Sequence, residues 1–200
     1  MIAVLRSELH RNLTIRSSWM SMAAATVLGA GMGLLSQDFW ALFSCLGAFG
    51  VAVLSTGQHY QHRTSVLLFL GEPHRGRVLA AQCVTAALLG LALTAVSGVA
   101  VFLGGEISHF PATLAAIPLL ATFGVANATV VRRPLWLLAG YAGWLLFVEG
   151  LLGKLEGPLP FSGALRAASG DSQGLVVLAA WTVVALLAAA WFIRRDLAGD

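Results

Sequence analysis

Positive charge falls in every second gap of this sequence, and that alternation constrains the fold more than any other feature. Six long apolar stretches run along the 200 residues, and ten of the twelve Lys and Arg residues lie in alternate gaps around them. Arg6, Arg11 and Arg16 precede the first stretch, and Arg63, Arg75 and Arg77 separate the second from the third. Arg132 and Arg133 separate the fourth from the fifth, and Arg194 and Arg195 follow the sixth. Only Lys154 and Arg166 fall in the other gaps, beside Asp38, Glu106, Glu156 and Asp171. Cationic loops are held on the cytoplasmic side of a membrane. The pattern predicts an all-α, multi-pass membrane protein of a bacterial inner (plasma) membrane, with six transmembrane helices and both termini cytoplasmic. The spans are expected near 19–35, 39–55, 78–103, 111–131, 135–152 and 174–193.

Composition agrees. The chain is 58% hydrophobic and 10% charged, where a soluble domain carries about 25% charged residues. The surplus apolar surface has to meet lipid. The net charge of +3 reflects orientation, and a nucleic-acid partner is not expected, since a basic nucleic-acid domain gathers its charge on one soluble face. The first stretch has a basic front and Ala23-Ala24-Ala25, like a cleaved signal peptide. Its apolar run is too long for one and leads straight into another span. Cys45 and Cys83 fall inside spans, as small buried residues do.

The chain reads as a single domain, residues 1–200, with three distinctive segments. In 1–16, Ile2, Leu5, Leu9 and Leu13 recur at helical spacing, with Glu8 and Arg11 pointing elsewhere. This predicts an amphipathic helix in the cytoplasmic interface; the alternative is a charged end of no fixed shape. The cytoplasmic gap 56–77 holds an apolar run, 65–70, too short to span. The external gap 153–173 carries Pro158 and Pro160 and suggests a re-entrant or interfacial element. Trp19, Trp136 and Trp191 fall at cytoplasmic ends and Trp40 at an outer end, as an aromatic belt would. Gly29 and Gly33 form a small-xxx-small pair that permits close helix packing, within the subunit or between subunits.

Few residues are set out for chemistry. A phosphate-binding Walker loop requires a lysine after its glycines, and the only lysine is Lys154, in an outer loop. His59, His62 and His74 share a segment, but no acidic or thiol ligand joins them at metal-site spacing, so no metal is expected. Ser162 in Pro-Phe-Ser-Gly is the one candidate nucleophile of an intramembrane enzyme, and no Gly-x-Ser-x-Gly surrounds it. Asn12-Leu-Thr and Asn127-Ala-Thr match the glycosylation pattern by chance, given where they fall. Glu149 lies toward the outer end of span five. A carboxylate there either reaches the headgroups or contacts a translocation path or gate.

In this order, the features resemble the membrane subunits of the ABC type-2 exporter family, the permeases of bacterial drug, antibiotic and polysaccharide exporters. Residues 5–19 look like that family's elbow helix entering span one. Residues 58–82 are similar to its segment between spans two and three. Val148-Glu149-Gly150-Leu151-Leu152 with Leu159-Pro160-Phe161 look like the end of span five and its external re-entrant hairpin, and Arg194-Arg195-Asp196 like the close after span six. The resemblance implies a cytoplasmic coupling helix between spans two and three, with Tyr60, Arg63, Thr64, Pro73, Arg75 and Arg77 in the region facing an ATP-binding-cassette ATPase subunit. The family often has an acidic residue near Gln58 and a lysine where Gln82 stands. It implies ATP and Mg on that partner and no cofactor on this chain. It also implies a second permease copy or paralogue packed along spans one and five, where Gly29 and Gly33 would serve, and a hydrophobic or amphiphilic cargo. The rival expectations are a non-transport interaction protein, such as an immunity or sensor subunit, and an intramembrane enzyme.

Overall fold

Each apolar stretch folds as a helix, since a backbone in lipid must satisfy its own polar groups. The computed structural model describes residues 2–61, 75–105 and 107–195, and no strand occurs among them. The elements are α1 (Ile2–Thr14), α2 (Arg16–Gly33), α3 (Gln37–Gln61), α4 (Arg75–Ser97), α5 (Val99–Leu103) and α6 (Phe110–Val131). They continue with α7 (Pro134–Gly143), which runs directly into a π-helix (Trp144–Leu152), then α8 (Pro160–Ala168) and α9 (Ser172–Arg195). Proline opens α6, α7 and α8, where a missing N–H costs nothing and the fixed φ suits a first turn.

Five of these helical stretches are long and apolar enough to cross a membrane: Gln37–His59, Gly76–Leu103, Phe110–Val131, Pro134–Leu152 and Ser172–Arg195. The expected first span, 19–35, corresponds to α2, which is not among the five. That helix begins with Arg16, Ser17 and Ser18 and is diluted further on by Ser21, Thr26 and glycines.

The centre of the bundle is α6, packed against α3, α4, α8 and α9. Phe49, Phe123, Tyr141 and Phe161 meet there from α3, α6, α7 and α8, with ring centroids 5.1 to 6.0 Å apart. By contrast the Pro134–Leu152 span is only 11% buried, where Gln37–His59 is 61% buried, so α7 lies on the outside of the bundle.

Contacts at the two ends follow the charge alternation. At the cationic end Arg11 Nη2 donates to Ser55 O at 2.9 Å and Ser18 Oγ to Gln58 Oε1 at 3.2 Å. At the other end Ser108 Oγ donates to Gln37 Oε1 at 2.9 Å, and His109 Nδ1 lies 3.1 Å from Asp38 Oδ1.

Two expectations need correction. Trp40 is not a belt residue: it is fully buried, donates its indole N–H to Ser97 Oγ at 3.1 Å and stacks on Phe110. Trp19, Trp136 and Trp191 are 59%, 74% and 50% exposed, as a lipid- or headgroup-facing belt requires. In α1, the buried face takes in only one side of the leucine stripe, where Leu9 packs against the Met22, Val51 and Leu89 cluster. Glu8 and Asn12 are buried while Leu13 is 61% exposed, for a reason found in α3 below.

The 153–173 gap turns inward. Seven of the nine residues of α8 are buried, against α3, α6 and α9. Its seam with α9 is close: a Cβ on Gly174 would fall 2.5 Å from the Ala167 nitrogen and 2.6 Å from Arg166 Cβ. A Gly174→Val variant should therefore lose about 2 kcal/mol by overpacking, seen as a lower melting temperature in detergent. An unchanged melting temperature would place α8 elsewhere.

Candidate functional site

The most developed polar site is built on Glu149. A π-helix is wider than an α-helix and closes i→i+5 hydrogen bonds, which brings residues five apart onto one side. Trp144 and Glu149 are so spaced, and Trp144 Nε1 donates to Glu149 Oε1 at 3.0 Å. The turn that follows keeps the wide geometry, with Gly153 N donating to Val148 O at 2.8 Å. Lys154 and Leu155 then take left-handed φ values of 48° and 59°, a conformation side chains seldom adopt, and reverse the chain toward α8.

Helix α8 starts without a cap of its own. Its N-cap residue is Leu159, whose side chain accepts nothing, and Pro160 has no N–H. The orphan donors of the first turn are thus the N–H groups of Phe161 and Ser162. Glu149 takes both: Phe161 N lies 3.2 Å from Oε1 and Ser162 N 2.5 Å from Oε2. The Ser162 hydroxyl adds a third bond to Oε2 at 2.7 Å. Every neighbour donates, the pattern an acceptor-only carboxylate requires, and negative charge suits a helix N-terminus. Glu149 is fully buried, and it serves as the N-cap of a helix that begins eleven residues later in the chain. Ser162 is likewise fully buried, and its hydroxyl and its N–H both go to the Glu149 carboxylate.

A second polar cluster joins α1 to the cationic end of α3. Glu8 Oε2 accepts from His59 Nε2 at 3.0 Å and from Arg11 Nη2 at 3.1 Å. The Glu8 and His59 side chains are each 4% exposed. Asn12 Nδ2 donates to Glu8 O at 3.0 Å. This explains the buried polar face of α1: a carboxylate and an imidazole can leave water when they bond each other. Burial pushes the Glu8 carboxyl up, but the His59 and Arg11 contacts outweigh it and hold the group below the usual glutamate value. His59 therefore serves a helix contact, and no group of three or more metal-ligating residues forms among the described residues.

The remaining expected positions divide as follows. Arg63, Thr64 and Pro73 lie outside the described residues. Tyr60 lies in the last turn of α3, Arg75 is the first residue of α4, and Arg77 is exposed two residues on, so the described part of the region sits at the cationic end. Gly29 and Gly33 pack within the subunit: Cβ atoms there would meet Ser97 Cβ at 3.2 Å and Val101 Cγ2 at 3.2 Å. The close approach they permit is thus to α4 and α5 of the same chain. Glu149, Phe161 and Ser162 each stand out in the sequence, but not as one bonded group, and the leucine spacing alone points Glu8 away from the packed face of α1.

Scanned against protein-family models and curated proteins, the chain matches none.

Proposed function

We propose that this chain is the membrane-spanning permease subunit of an ATP-binding-cassette exporter, with ATP and Mg bound and hydrolysed on a separate partner. The observation that carries this reading is the inward-turned α8, capped by Glu149 between the last two spans, where the resemblance calls for a re-entrant hairpin. The α1 helix clamped to α3 supports it further, as an elbow helix would, just before the segment that leads to Arg75 and Arg77. In this reading α2 is the first of six spans. Its 18 residues extend about 27 Å, close to the hydrocarbon thickness, and its polar edge is covered by α3 and α4.

The cationic end is then cytoplasmic, and the 56–77 segment is the coupling element. ATP-driven closure of the partner shifts the equilibrium between inward and outward states by its different affinity for each. A second copy or paralogue completes the pathway, and the barely buried α7 offers an apolar face for it. Cargo is hydrophobic or amphiphilic. The double variant Arg75→Glu, Arg77→Glu should lose co-purification with the ATPase while keeping the wild-type melting temperature. Retained co-purification and transport would contradict the coupling assignment.

A further inference from the structure

A cavity of about 370 Å³ opens between α6, α7 and α9, within the size range of small-molecule sites. Its walls include Phe123, Trp136, Tyr141, Trp144, Pro160 and Trp181. Tryptophans in membrane proteins gather at the two interfaces, yet Trp181 stands near the middle of α9. Two of the indoles are oriented by hydrogen bonds. Trp181 Nε1 donates to Pro158 O at 3.0 Å, and Trp144 Nε1 donates to Glu149.

We propose that this cavity binds a lipophilic organic cation, held on the faces of Trp144, Trp181 and Tyr141 with the Glu149 carboxylate behind them. Aromatic faces attract cations, and more strongly when water is excluded. The donors around Glu149 are all neutral: an indole, two amides and a hydroxyl. No cation contacts it among the described residues, so its charge is left for the neighbouring space. Low dielectric lets that charge act across the thickness of one indole. Arg132 and Arg133 follow Val131, which lines the cavity, but both are exposed, where solvent and salt screen them.

Binding requires no ATPase and is independent of the export reading; only the further step, that the bound cation is cargo, rests on it. The test uses the purified full chain in mild detergent, titrated with tetraphenylphosphonium and with tetraphenylborate, which share a shape and differ in charge. Tetraphenylphosphonium should quench tryptophan fluorescence saturably and bind at least about tenfold tighter than tetraphenylborate. Trp181→Leu should weaken the cation about fivefold or more, and Glu149→Gln should narrow the gap between the two ions. Should Glu149→Gln fail to fold, Trp181→Leu and Tyr141→Leu decide. Equal or tighter tetraphenylborate binding, or cation affinity unchanged in Trp181→Leu, would overturn the assignment. Saturable binding that never alters ATP turnover of a co-purified ATPase would keep the cavity and overturn its use for cargo.

Discussion

Replacing Glu149 with leucine should destabilise the protein by about 3 kcal/mol. Leucine fills the space but accepts nothing. The Phe161 and Ser162 N–H groups, the Ser162 hydroxyl and the Trp144 indole would all lose their acceptor. Each buried donor left unpaired costs about 1–3 kcal/mol, and local rearrangement recovers part of the sum. For a chain of this size the loss corresponds to a fall of roughly 6–12 °C in melting temperature. Glu149→Gln keeps one acceptor oxygen and should lose about half as much. Because Phe161 leaves the aromatic cluster when α8 shifts, the signature is specific: cysteine introduced at Ala164 should become accessible to thiol reagents in Glu149→Leu and stay protected otherwise. A Glu149→Leu protein that melts like wild type would show that α8 is held by apolar packing alone.

Replacing Glu8 with alanine should detach α1. Arg11 and His59 would then share a buried site with no carboxylate, and breaking a buried pair from one side costs about 3 kcal/mol or more. The expected readout is faster tryptic cleavage at Arg6 and Arg11 without loss of the membrane bundle. Acid should imitate the mutation. The folded-state pKa of Glu8 is lowered, so its contribution is fully present above the unfolded value of about 4.3. That contribution is lost as pH falls through the lower folded value. Wild type should therefore show increasing loss of α1 protection below about pH 4, and Glu8→Ala should already be unprotected at neutral pH. Protection of α1 that is equal in both proteins at every pH would contradict the clamp.

The parts of the fold written in the sequence are those set by solvent. Five of the six expected spans follow from apolar length, the gaps from charge, and the starts of α6, α7 and α8 from Pro111, Pro134 and Pro160. The parts that were not legible depend on a partner distant in the chain. Leucine spacing in α1 gave an apolar face, but Glu8 lies 51 residues from the His59 that makes its burial possible. Trp40 looked like an interface residue because nothing nearby announced Ser97 as the acceptor of its indole N–H, 57 residues on. Glu149 could be recognised as a costly residue, but its role depends on a π-helix and on a helix start whose own cap, Leu159, is deficient. A carboxylate followed, after a loop, by a Pro-led helix with no Ser, Thr, Asp or Asn at its N-cap is a signal that could have revealed it.

The most direct test of the permease reading is to purify the tagged full chain from membranes of its native host in mild detergent and identify its companions by mass spectrometry. The reading predicts an ATP-binding-cassette ATPase in roughly matching amount, lost in the Arg75→Glu, Arg77→Glu variant. A folded, clean preparation with no such ATPase would contradict it and leave this bundle a membrane protein of another kind.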